Sequence, residues 1–127
     1  MAFGKRSVSL VPLMVAHERE TGLFQAEYAA ENRYREPEDV RILSRYHDRA
    51  KREQREALQR VTDELNATFK RGDLVSMTFL GGDNSILTVT ATFDYVSSWW
   101  LHTDGVGHPL VSMLRVEDAN ERYIQEA

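Results

Sequence analysis

At 127 residues and a net charge of −4, the chain has the length of one domain and can bury a modest core. It contains no cysteine, which excludes disulfide staples and thiolate metal sites and makes a reducing cytoplasm the default compartment. No span approaches transmembrane length, which excludes a helical membrane anchor.

The chain begins ambiguously. Lys5 and Arg6 precede an apolar run over residues 8–16, the outline of a secretory signal. Ser9 and Pro12 interrupt the run, and Met14 stands where cleavage needs a small residue, so the expectation is a protein that stays in the cytoplasm. The Asn66-Ala67-Thr68 sequon then carries no meaning. Residues 7–11 read as a short strand or extended arm that Pro12 ends. Gly22 marks a break, and residues 23–34 suit a helix that buries Phe24 and Tyr28.

Pro37, followed by Glu38 and Asp39, starts a long helix: proline suits the first turn, and carboxylates suit the positive end of the helix dipole. The helix is expected to run to Phe69 and to stop at Lys70-Arg71-Gly72. Leu43, Tyr46, Ala50, Gln54, Ala57, Val61 and Leu65 share one side of it. On the opposite side, Arg41, Arg45, Arg49, Arg52 and Arg55 fall within an arc of about 120°. Such a ridge of guanidinium groups can follow a phosphate backbone or dock on an acidic protein surface. It can equally be a solvated face, because Asp48 to Arg52, Arg49 to Glu53, Arg52 to Glu56 and Glu56 to Arg60 are all at ion-pair spacing.

The period then changes from helical to two. Val75, Met77 and Phe79 alternate with Ser76 and Thr78, and Gly81-Gly82-Asp83-Asn84 reads as a hairpin loop. From residue 86 to 96 the odd positions Leu87, Val89, Ala91, Phe93 and Tyr95 are apolar against threonines and Asp94, which predicts one long strand bent at Ala91. Residues 98–103 supply a third strand in which Trp99 and Trp100 point to opposite faces, so one of them lies outside the core or under a covering segment. After a turn at Asp104-Gly105-Val106-Gly107, the three-residue spacing of Leu110, Met113 and Val116 fits a last strand broken by one tight helical turn.

The predicted class is α+β in a single domain: an N-terminal arm and short helix (1–36), a long charged helix (37–71), a small antiparallel four-to-five-stranded SH3- or Sm-like β-barrel (72–118) and a tail (119–127). A frayed helical turn around Tyr123 and Ile124 is expected in the tail. The first segment carries five basic and five acidic residues, the long helix nine and seven, and residues 72–127 two and eight, net −6. An acidic barrel suits a basic protein surface, or the arginine ridge of a second copy, better than it suits nucleic acid.

Chemistry is sparsely encoded. His102, Asp104 and His108 surround one turn, a spacing that could hold Zn²⁺, although turn formation explains Asp104 as well. Glu117 and Asp118 are adjacent in an extended segment and point apart, which defeats a paired acid and base role. With no phosphate loop or nucleophile elbow, the expectation is a protein that is not an enzyme and carries no catalytic residue, metal or cofactor. The residues expected to meet a partner are Trp99, Trp100, Tyr95, Asp94 and Asp104.

The order of parts, the stretch Val8-Ser9-Leu10-Val11-Pro12-Leu13, and the 74–117 region with its Phe93-Asp94-Tyr95-Val96 segment and closing Leu110, Met113 and Val116 resemble the YolD-like family of small bacterial and phage proteins. Lys5-Arg6 stands where that family has Arg-Gly, and Leu10 where it has tryptophan. The resemblance implies a non-enzymatic accessory protein of phages and Gram-positive bacteria, often linked with translesion polymerases. The leading expectation is therefore a cytoplasmic adaptor for a protein partner that handles nucleic acid. The alternatives are an inhibitor of a host nuclease, such as an anti-CRISPR, and direct nucleic-acid binding by the arginine ridge.

Overall fold

Pro12, expected to end an extended arm, instead lies in the first turn of a helix, α1 (Val11–Ala29), where its missing N–H has no intrahelical partner to lose. The computed structural model describes residues 5–34 and 37–119. A three-residue strand, β1 (Ser7–Ser9), precedes α1, and a π-helical turn at Ala30–Tyr34 follows it. The helix passes through Gly22 without a break. An interior glycine costs about 1 kcal/mol relative to alanine, and here contacts with the second helix on both sides of Gly22 hold the segment helical. Phe24 and Tyr28, expected in the core, are exposed.

The second helix, α2 (Pro37–Thr68), starts at Pro37 with Glu38 and Asp39 in its first turn, as the sequence predicts. It stops short of Gly72, which adopts φ +99°, a left-handed conformation that favours glycine. Its buried residues are His47, Ala50, Ala57, Val61 and Leu65. The spacing places Tyr46 on this stripe, but it is 53% exposed and His47 takes the inward position.

Five further strands complete the fold: β2 (Leu74–Leu80), β3 (Ile86–Ser97), β4 (Trp100–Thr103), β5 (Val106–Pro109) and, after a 3-10 turn at Leu110–Ser112, β6 (Met113–Asp118). The order is β1-β6-β2-β3-β4-β5, with every neighbouring pair antiparallel. The chain is thus α+β, with two helices and one six-stranded sheet. The expectation of a closed barrel of four or five strands is corrected: β1 and β5 end the ladder without pairing to each other. Of these edges, β1 falls within residues 7–11, read as a short strand or extended arm outside the barrel, and β5 begins in residues read as part of a turn.

β3 serves both halves of the sheet. Residues 86–92 pair with β2, and the segment from Phe93 to Ser97 pairs with β4. The irregularity lies between Phe93 and Tyr95, not at Ala91. One extra residue there shifts the alternation, so Phe93 and Val96 are both buried while Tyr95 turns outward. At the other end of the strand Leu87, placed on the inner face by its spacing, is 62% exposed.

The core unites Val8, Leu10 and Leu13 with Ala57, Val61, Leu65 and Phe69 from α2 and its exit, and with Val75, Met77, Phe93, Val96, Leu101, Leu110, Met113 and Val116 from the sheet region. The N-terminal half of α2 lies against α1 instead: Glu53 pairs with Arg19 at 2.8 Å, Gln54 bonds His17 at 2.8 Å, and His47 meets Glu20 and Glu27. Among the described residues, no helix is long and apolar enough to cross a membrane. The expected turn around Tyr123 and Ile124 lies outside the described residues.

Candidate functional site

The two tryptophans are not neighbours on one strand. Ser98 and Trp99 form a two-residue hairpin turn, with φ +49° and +74°, between the paired residues Ser97 and Trp100. Turns of this kind match the twist of the flanking strands but favour Asn-Gly, so a tryptophan here needs support from tertiary contacts. That support is present: the Trp99 carbonyl accepts a 2.9 Å bond from Leu110 N–H, and its ring packs against the core with His17 6.2 Å away between centroids. Trp99 is thereby a partly buried support against the core.

Trp100 opens β4 and is 46% exposed, while Leu101 and Thr103 turn inward. His102 is paired with Tyr95, and their rings stack 4.3 Å apart at 17°. Gly107, opposite His102, lies beneath this group: a Cβ there would sit 3.4 Å from the Trp100 ring and 3.9 Å from His102. Tyr95, His102 and Trp100 therefore make a continuous aromatic surface on the outer side of the sheet. Of the other residues expected to meet a partner, Asp94 is half-buried and bound to Arg71 at 3.1 Å. Asp104 is exposed in the β4–β5 turn with φ +47°.

The five arginines of α2 are all exposed. Among the described residues none of them forms an ion pair, and the spaced carboxylates do not close on them; Glu53 goes to Arg19. Arg41 reaches only its own helix, donating at 3.4 Å to the Pro37 carbonyl, and the Arg49 guanidinium lies 5.9 Å from the centre of the Tyr46 ring. A shallow groove runs here, lined by Ile42, Arg45, Tyr46 and Arg49, and continues past Asp48, Lys51, Arg52 and Arg55.

Sequence reasoning missed two clusters. His47 is 4% exposed, and its ring faces two carboxylates: Nδ1 donates to Glu27 Oε2 at 2.8 Å and Nε2 donates to Glu20 Oε1 at 2.7 Å. Ionised carboxylates only accept, so both bonds are made together only when both nitrogens carry protons, and the site favours the imidazolium. The Glu20 hydrogen bond, with the Glu27 bond adding to it against burial, raises the His47 pKa above its ordinary 6.5. The signal was a histidine on the inward arc of a helix. It was invisible because α1 was read only from residue 23, which left Glu20 without a helix face.

Arg6, read as part of a basic leader and as a departure from a family motif, is the second. Its guanidinium donates to Asp118 at 2.7 and 3.1 Å and to the Thr68 carbonyl at 2.8 Å, approaches Asp73 at 3.3 Å, and lies 5.2 Å from the centre of the Phe69 ring. Its backbone N–H adds a fourth donation, to Asp118 Oδ2 at 2.8 Å. The arm, the end of α2 and β6 are thus tied at one point. The Arg6 side-chain bonds hold the Asp118 pKa below its ordinary value, and the Arg6 backbone and charge act in the same direction. A depressed carboxylate stabilises the fold above its unfolded pKa and loses that contribution as pH falls through the folded one. Asp118→Asn is therefore expected to melt lower than the native chain at pH 7, with the gap closing on acidification below pH ~4; melting curves across that range check it.

The histidines near the β4–β5 turn do not converge. His102 stacks on Tyr95 outside, whereas His108 accepts or donates a 2.8 Å bond with Thr103 Oγ1, a buried atom on the other face. Burial, with the nearby His102 charge, lowers the His108 pKa. Among the described residues no three His, Cys, Asp or Glu side chains are placed to hold a metal ion. Glu117 leans toward Arg115 at 3.6 Å while Asp118 serves Arg6, so the adjacent carboxylates have separate partners. Compared with known proteins, the chain matches no family model, no curated protein and no solved structure.

Proposed function

We propose that this chain is a non-enzymatic cytoplasmic adaptor that docks on a protein partner through the outer aromatic surface of its sheet. One observation carries the reading: Trp100 and Tyr95, the latter stacked on His102, present exposed rings on neighbouring strands, while Trp99 is partly buried against the core. Exposed tryptophan and tyrosine held in fixed rotamers are the usual anchors of protein interfaces, since they bury much area at little entropic cost. An SH3- or Sm-like relationship belongs to this proposal, supported by a strand order in which β6 returns, after a tight helical turn, to pair with β2. The most specific form, a phage or mobile-element accessory of a polymerase or other nucleic-acid enzyme, rests on the YolD-like resemblance alone. A role as a nuclease inhibitor that presents carboxylates is less well supported, because Asp73, Asp94 and Asp118 are engaged by the chain's own Arg6 and Arg71.

Quantitative capture from a bacterial lysate tests the proposal. A specific partner retained by the native chain and by Leu87→Ala should fall at least about tenfold with Trp100→Ala, as expected of an anchor residue. Identical recovery with Trp100→Ala would remove the sheet surface from consideration.

A further inference from the structure

We propose that the groove of α2 formed by Ile42, Arg45, Tyr46 and Arg49 binds single-stranded nucleic acid, with the arginines on backbone phosphates and the Tyr46 ring stacked on a base. The surface lies away from the sheet and does not depend on the docking role proposed for it.

Three observations converge on this occupant. The first is unspent charge. Arg41, Arg45, Arg49, Arg52 and Arg55 are exposed over about 21 Å of helix, at 1.5 Å per residue, and make no ion pair among the described residues. Of the nearby carboxylates, Glu53 is taken by Arg19, and Glu20 and Glu27 of α1 by His47, while Asp48 and Glu56 lie at helical spacing from Arg52 without closing on it. Asp48 and Glu38 also border the groove, which leaves it positive but not uniformly so.

The second is an aromatic platform within the positive stretch. Tyr46 is 53% exposed, is flanked by the exposed Ile42, and has the Arg49 guanidinium near its ring. An acidic surface recognised by charge alone would use the arginines and leave the tyrosine ring unengaged. Single strands offer both phosphates and unstacked bases, and proteins that bind them combine a basic groove with such rings. A duplex keeps its base faces stacked inside, so it would satisfy the arginines and leave Tyr46 idle.

The third is position. The buried contacts of α2 from His47 to Gln54 are made with α1, so the groove is borne by the helix pair and not by the acidic sheet region. Its segment, residues 37–71, is the only one of the three whose basic residues outnumber the acidic, nine to seven.

Fluorescence anisotropy of the full chain with a labelled dT20 strand, a duplex of equal length and polyglutamate tests the inference. Expected are preference for the single strand and an affinity that falls about twentyfold between 50 and 200 mM salt, the value for roughly three phosphates neutralised. Tyr46→Ala should weaken the single strand about tenfold without lowering the melting temperature. Arg45→Ala with Arg49→Ala should flatten the salt dependence, whereas Arg71→Ala, equal in charge loss per site but outside the groove, should change affinity less than about twofold. The inference is overturned by no binding of the single strand at 50 mM salt, by Tyr46→Ala binding as the native chain does, or by polyglutamate binding as tightly as dT20.

Discussion

Phe93→Ala is expected to lower the unfolding free energy by about 3–5 kcal/mol, while Leu87→Ala, six residues earlier in the same alternation, should change it by less than about 0.5 kcal/mol. Phe93 is buried, with its ring centre 5.8 Å from that of Phe69, so truncation opens a void between the sheet and the end of α2. Its backbone is also fixed: its N–H donates to the Asp73 carbonyl and its carbonyl accepts from Gly72, both at 2.8 Å. The surroundings therefore have little freedom to collapse, which places the cost toward the upper part of that range. Leu87 makes no such demand, because its side chain is already largely in water. Urea denaturation of the two variants measures the contrast. Equal losses would mean that β3 is covered along its whole length and that the outward turn at Tyr95 is wrong.

The second large effect concerns His47 and has a pH signature. Replacing it with glutamine should cost about 3 kcal/mol at pH 6, since the cation that bridges Glu20 and Glu27 is lost and two carboxylates are left facing a neutral group. Lys51 on α2 opposes the protonation, and the Phe24 ring lies edge-on 5.7 Å away; neither replaces the bridge. The folded pKa is raised above 6.5, so the stabilisation is complete below pH 6.5 and disappears as pH rises through the folded value. The difference between native chain and variant should therefore shrink toward alkaline pH. Denaturant midpoints from pH 6 to 9 read it directly, and a difference that stayed constant would show that the ring is neutral throughout.

Much of the architecture was legible because it rests on periodicity. The boundaries of α2 follow from Pro37, the acidic first turn and Gly72, and β2, β3 and the 3-10 turn before β6 follow from their apolar spacing. What was illegible shares one cause: it depends on contacts remote in sequence. A single inserted residue near Asp94 reverses which side of β3 is covered, and nothing in the alternation announces it. Tyr46 rather than His47 was placed inward because a lone histidine reads as polar until the two glutamates of another helix surround it. Arg6 looked like part of a basic leader, yet its partner lies 112 residues away. The site fared unevenly for the same reason. The aromatic residues and the arginines were found by type, but whether Trp99 or Trp100 faced solvent was set by a hairpin turn, and Arg49 lost its spaced partner Glu53 to Arg19 of another helix.

An open ladder has two free margins, and both are short here. β1 offers three residues beside the cationic Lys5 and Arg6, and β5 offers four, of which Pro109 has no N–H to give. A second copy thus finds little main chain to zip onto, and growth into stacked fibrils through the sheet is disfavoured at either side. Concentrated solutions should accordingly stay free of cross-β aggregates while the native state persists, and any self-association must proceed through side chains, such as arginine against carboxylate, that salt can dissolve.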